Sequence, residues 1–164
     1  MTRELAAVAG RLLRSGRLRV AVAESCTGGG VCEALTSLPG SSAYFLGGVV
    51  AYGNESKTRD LGVPPGLIES RGAVSREVAE AMAAGAAGRF GAEIGIGTTG
   101  IAGPGGGSPD KPVGTVHVAV ASGEVRLSHH LLLPGDRDAV RGETVRRALE
   151  LLVTFLSERK GRVR

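Results

Sequence analysis

Apolar positions along this chain keep changing period, and the changes mark out alternating helices and strands. From residue 3 to 15 they fall at helical spacing (Leu5, Val8, Ala9, Leu12, Leu13), with Gly16 as a natural stop. "LRVAVAE" (18–24) reads as a short buried strand, and "GGGVCEALTSLPG" predicts a helix over about 28–38 closed by Pro39-Gly40. "AYFLGGVVAYG" (43–53) is a second strand region, whose Gly47-Gly48 break signals a bulge or a close backbone approach. "NESKTRDLG" predicts a short helix with Asn54 as N-cap, followed by the Pro-initiated turn "PPGLIESRG". A clear helix starts behind Ser75, with Val78, Met82 and Ala86 along one face. "AEIGIGTTG" is the third strand, and "VGTVHVAVASG" with "EVRLSHHLLL" forms a hairpin turning at Ser122-Gly123. Asp136 caps the long final helix.

Helices and strands alternate for the first hundred residues, and one hairpin follows. That order predicts an α/β fold, a three-layer α/β/α sandwich on a mostly parallel mixed sheet with one antiparallel strand. The 164 residues suit one domain, expected over 1–158, with a basic C-terminal tail over 159–164. Between the third strand and the hairpin lies "GIAGPGGGSPDKP" (100–112), too long and Gly-rich for a plain connection and better read as a binding loop.

Charge changes this picture little. Arg159, Lys160, Arg162 and Arg164 account for the whole net charge of +4, so the body of the domain is neutral and nucleic-acid binding is not expected. No stretch is apolar for long enough to span a membrane, and the N-terminus lacks the hydrophobic core of a signal peptide. Cys26 and Cys32 are the only cysteines and match no zinc or redox spacing, which points to a reduced cytoplasmic protein without a metal. Of the 20 basic residues only Lys57, Lys111 and Lys160 are lysines. Arginine cannot lose its proton in a protein and lysine can, which directs attention to Lys57.

Candidate chemistry begins at "VAVAESCTGGG" (20–30), an apolar strand ending in a hydroxyl, a thiol, a second hydroxyl and three glycines. With Thr27 as N-cap, the backbone N–H groups at the helix start would face outward as an anion or oxyanion site; an ordinary capped helix with close-packed glycines fits the same residues. Ser25 needs a base to act as nucleophile. His117, His129 and His130 lie within the hairpin strands and carry no local triad signature. Lys57 falls three residues after Asn54, where the helix dipole disfavours a positive charge; burial there would lower its pKa, although a surface lysine on a short helix also fits. Cys26 is either a dipole-activated thiol or a small buried filler. The GxGxxG from Gly95 to Gly100 fails as a dinucleotide fingerprint, because its first glycines lie in the strand and no helix can follow. It reads instead as a wall bearing Thr98 and Thr99. Arg137 opens the last helix and could clamp an anion, and Tyr44, Phe45 and Tyr52 are three of only five aromatic residues.

"AESCTGG" (23–29), "GSSAYFLGGVVAYGNESK" (40–57), "GAVS" (72–75), "TTGIAGPGGGSPDKPVGTV" (98–116) and "PGDRDAVR" (134–141) resemble, in order, the blocks of the CinA C-terminal domain family. The family includes stand-alone nicotinamide-nucleotide amidohydrolases. The resemblance implies the three-layer fold, hydrolysis of the carboxamide of nicotinamide mononucleotide, a Ser/Lys pair at Ser25 and Lys57, no metal or cofactor, and a homo-oligomer. Amides around Cys26, Thr27, Gly28 and Gly29 are then expected to hold the oxyanion. Thr99, Gly100, Ala102, Gly103, Tyr52 and Arg137 are the expected substrate contacts, with the phosphate near Arg137. Many members carry a further N-terminal domain resembling molybdopterin-binding proteins; the sequence here begins with the hydrolase-like part, and functions of that other domain are not expected of it. The alternative is a module that binds a pyridine nucleotide without cleaving it.

Overall fold

A computed structural model describes residues 1–161 of the chain, and the last three residues of the expected tail lie outside it. The elements are α1 (Thr2–Gly16), β1 (Val20–Glu24), α2 (Gly30–Thr36), a 3-10 turn (Ser41–Ala43), β2 (Phe45–Val50), α3 (Asn54–Leu61), α4 (Pro65–Arg71), α5 (Arg76–Phe90), β3 (Ile94–Gly100), β4 (Thr115–Ser122), β5 (Val125–Leu132) and α6 (Arg137–Gly161). The sheet order is β2-β1-β3-β4-β5. β1 pairs parallel with β2 and β3, and β4 pairs antiparallel with both β3 and β5. Only β4 therefore runs against the other strands, as the alternation followed by a hairpin predicts. Among the described residues no helix is long and apolar enough to cross a membrane.

Period-two alternation sends the strand side chains to two unlike layers. Val20 and Val22 of β1, Ile94 and Ile96 of β3, and Val116, Val118 and Val120 of β4 join one core with α1, α2 and α6. The opposite face is built of small residues. Ala21 and Ala23 pack with Leu61, Ile68, Val78 and Met82 of α3, α4 and α5, and Ala119 and Ala121 pack on Ala79 and Ala83 of α5. Gly95 and Gly97 complete that face. A Cβ on Gly95 would stand 1.8 Å from the Ala83 carbonyl oxygen, and one on Gly97 would stand 2.2 Å from that of Ala79. The in-strand glycines thus let the backbone of α5 lie directly against β3.

Two caps match the sequence pattern. Ser75 Oγ accepts from the Val78 amide, and Asp136 Oδ1 accepts from the Ala139 amide. Two do not. α2 starts at Gly30 behind an N-cap at Gly29, two residues later than expected, and Thr27 is not its cap. α3 is capped by Gly53, so Asn54 is its first helical residue. The final helix continues to Gly161, and Arg159 Nη1 donates to Ser122 Oγ at the hairpin turn.

The contact between α5 and β3 yields a stability prediction. Gly97→Ala should cost about 1–3 kcal/mol, the range for overpacking, because the atoms in its way are backbone. Gly88→Ala on α5 meets nothing within 4 Å and should be neutral or stabilise by up to about 1 kcal/mol. Thermal denaturation of the two variants beside wild type checks both expectations.

Candidate active site

The alternation of β1 continues into the turn that follows it. Odd positions face the α3–α5 layer, so Ser25 follows Ala21 and Ala23 to that side, while Glu24 follows Val22 toward α2. α3 meets Ser25 from below the end of β2. Lys57 Nζ lies 3.1 Å from Ser25 Oγ, 3.0 Å from the Ala51 carbonyl oxygen and 3.1 Å from that of Tyr52. The lysine is only 1 % exposed. Burial lowers its pKa, Cys26 opposes the effect only in smaller part, and among the described residues no carboxylate pairs with the amine. Two carbonyls take up two N–H groups of the amine. A neutral Lys57 therefore keeps its lone pair for the Ser25 hydroxyl. The surface-lysine alternative is excluded by this burial.

The thiol and the histidines are differently placed. Cys26 is buried beneath Gly100, where a Cβ would approach its Sγ to 3.2 Å. Burial, with a smaller contribution from the charge of Glu24, pushes the Cys26 pKa up to about 11, which fits the buried-filler reading of this cysteine better than the activated-thiol one. His117 stacks on His130, ring centroids 4.5 Å apart, and burial drives its pKa down to about 4. Its Nδ1 is buried without a partner, and no histidine among the described residues hydrogen-bonds Ser25.

The turn from Ser25 to Gly30 is not the open anion site that its glycines suggest. The amides of Gly29 and Val31 donate to Glu24 Oε2, each at 3.0 Å, and that of Cys32 donates to Oε1 at 2.9 Å. The Gly28 amide donates to the Ser25 carbonyl and that of Gly30 to the Thr27 carbonyl. Gly28 (φ 61°) and Gly29 (φ 103°) take the left-handed conformations that this path requires. Gly28 and Gly29 thus offer no free donor. Among the described residues, the amides of Cys26 and Thr27 are the ones on the turn with no protein acceptor. Thr27 Oγ1 instead pairs with Thr98 Oγ1 at 2.8 Å.

The expected substrate contacts divide in the same way. The Thr99 hydroxyl is buried and donates to the Ala73 carbonyl, so it holds the segment before α5 and is not presented to a ligand. Lys111 ties the Gly-rich loop to that segment through the carbonyls of Arg71 and Val74. Gly100 and Ala102 line the start of this loop, and Arg137 closes it. Arg137 Nη1 donates to the Gly103 carbonyl and Nη2 to the Tyr52 hydroxyl, each at 2.8 Å. Tyr52 is 58 % exposed, whereas Tyr44 is core, donating from its hydroxyl to the Leu35 carbonyl. Among the described residues no group of three or more His, Cys, Asp or Glu side chains is placed to hold a metal.

Two residues here were not singled out from the sequence. Glu24 was detectable as an acid ending a buried strand just before a helix start. Arg141 lies one turn after Arg137, and donates from Nε and Nη2 to the carbonyls of Cys26 and Thr27 at 3.2 and 3.3 Å. Its role depends on α6 crossing the β1 turn, which no local pattern announces.

Comparison with known proteins places this arrangement. The CinA C-terminal domain model matches residues 2–156. A "CinA-like protein" of Gemmatimonas aurantiaca is 58 % identical over 82 % of this chain, which spans about a third of that relative's length (32 %). A protein of Pseudomonas putida named nicotinamide-nucleotide amidohydrolase PncC is 50 % identical over 94 % of this chain and 96 % of its own. The crystal structure of the competence/damage inducible protein CihA from Agrobacterium tumefaciens superposes with a TM-score of 0.91, at 43 % identity and 95 % coverage of both chains. The chain belongs to the CinA C-terminal domain family.

Proposed function

We propose that this protein hydrolyses the carboxamide of nicotinamide mononucleotide to nicotinate mononucleotide and ammonia, with Ser25 as nucleophile and Lys57 as general base. The observation that carries the reading is the buried Lys57 amine, 3.1 Å from Ser25 Oγ with two backbone carbonyls as its other partners. Near-full-length similarity to the Pseudomonas putida amidohydrolase supports the substrate.

Ser25 Oγ attacks the carboxamide carbon as its proton passes to Lys57 Nζ. The negative charge on the former carbonyl oxygen is taken by the amides of Cys26 and Thr27. The C–N bond then breaks, and the Lys57 ammonium returns a proton to the departing ammonia. Water attacks the acyl-Ser25, giving a proton to Lys57, and Lys57 restores it to Ser25 Oγ as nicotinate is released. Arg137 and the loop from Gly100 to Gly103 receive the phosphate end, and Tyr52 flanks the entrance. The reaction is expected in the cytoplasm and in a homo-oligomer; exposed Leu46, Val50 and Tyr52 along and just beyond β2 support self-association.

Ammonia release by the purified protein tests the reading directly. Ser25→Ala should abolish it while leaving nucleotide binding, followed by calorimetry, nearly unchanged. Activity close to wild type in that variant would exclude Ser25 as nucleophile. Lys57→Arg should lower kcat by about two to four orders of magnitude, since a guanidinium stays protonated at any working pH. Incubation with a chelator should leave the rate unchanged, as no step calls on a Lewis acid.

The same lysine predicts two pH dependences. Its pKa is lowered on folding from an ordinary 10.5, so the deprotonated, active form grows as pH rises and kcat/KM should climb through the lowered value. Between the two pKa values the unfolded chain binds the extra proton. The stability lost as pH falls through that window therefore returns as pH rises toward 10.5. Replacing Lys57 by Met removes this contribution. The difference in Tm between Lys57→Met and wild type should accordingly shift in favour of wild type from pH 7 to pH 10, as scanning calorimetry can show.

A further inference from the structure

Glu24 is fully buried, and no cation pairs with it among the described residues. A carboxylate in such a place needs compensation, and three amides at the start of α2 provide it. Its main chain is committed as well. The Glu24 carbonyl accepts from the Ala51 amide at 2.8 Å, and the Ala51 carbonyl in turn accepts from Lys57 Nζ. The next residue, Ser25, donates from its amide to the Thr98 carbonyl at 3.0 Å. One residue therefore fastens the nucleophile turn to α2 through its side chain and to the lysine anchor through its backbone.

We propose that Glu24 is a positioning residue for the acyl transfer, its carboxylate fixing the Ser25–Gly29 turn so that the Cys26 and Thr27 amides stand ready for the oxyanion. Its charge adds to burial in raising the pKa values of Cys26 and Cys32, so the thiol beside the serine stays protonated. The inference rests on the Ser25–Lys57 reading, and its test is arranged so that the two can fail separately.

Glu24→Gln keeps the shape but turns one acceptor oxygen into an NH2 group facing an amide N–H. Two readouts are followed: kcat and KM with nicotinamide mononucleotide, and the rate of Ser25 labelling by an uncharged alkyl fluorophosphonate. In the labelling step an Oγ–P bond forms, the P–F bond breaks, fluoride leaves, and the serine proton goes to Lys57. The probe carries neither a nicotinamide nor a free phosphate, so it reports on the turn alone. Glu24→Gln should slow kcat and labelling together, by roughly 10- to 100-fold, with KM within about threefold of wild type. Glu24→Asp keeps the charge one methylene short and should recover part of both rates. Leu152→Ala, a core truncation about 16 Å further along α6 than Arg141, serves as the control. It should lower Tm yet leave the labelling rate unchanged. Glu24→Gln labelling as fast as wild type, slowing no more than Leu152→Ala, or labelling faster than Glu24→Asp would each overturn the positioning role. Wild type that labels at Ser25 but releases no ammonia would overturn the substrate instead, and the labelling rates would still decide the case of Glu24.

Discussion

A lysine amine held out of water by backbone carbonyls, with no carboxylate to neutralise it, is the constraint on which this structure turns. Lys57 keeps that place because α3 is pressed against the end of β2, where the Ala51 and Tyr52 carbonyls converge on Nζ. α3 can stand there because Leu61 packs with α4, α5 and the alanines of β1 in a single cluster. α5 lies close to the sheet only because β3 offers Gly95 and Gly97 where bulkier strands would hold it away. The reactivity of one side chain therefore depends on small residues two elements distant. The cost of burying the amine falls on the fold, and the lowered pKa that burial brings is what the proposed role as a base calls on.

The second constraint is the two-residue period of β1. Glu24 and Ser25 are neighbours in sequence and serve opposite sides of the sheet. The acid turns to α2 and organises the backbone, whereas the serine turns to α3 and meets Lys57. Cys26 then falls beneath Gly100 with its pKa raised, which accords with the proposal of the hydroxyl and not the thiol as nucleophile. Arg141 reaches the same turn from α6 and holds the carbonyls of Cys26 and Thr27. With acceptors supplied on one side and donors on the other, the amides of Cys26 and Thr27 are the two on the turn left without a protein acceptor among the described residues.

Much of this was legible without coordinates. Periodicity placed the helices and strands, the alternation followed by a hairpin gave the parallel sheet with one reversed strand, and Ser75 and Asp136 announced their caps. Ser25 and Lys57 stood out by residue type: a hydroxyl ending a buried strand, and one of three lysines in a chain whose basic residues are almost all arginine. These signals survive because they are local, resting on neighbours within a turn or on the choice of one amino acid over another.

What the sequence left undecided is set by partners distant along the chain. Three glycines after Thr27 looked like an open helix start, yet the acid five residues before Gly29 already occupies it, and α2 begins only at Gly30. Thr99 looked like a ligand group, but its face of β3 turns it to the Ala73 carbonyl. Arg137 looked free to clamp an anion, but two of its five N–H groups are already given to the Gly103 carbonyl and the Tyr52 hydroxyl, across elements far apart in sequence. Residue types and spacing by themselves determined the elements and the sheet and singled out Ser25 and Lys57 as candidates. Only the tertiary structure decided which donors remain free, because a donor's availability depends on which acceptor the fold brings within hydrogen-bonding distance.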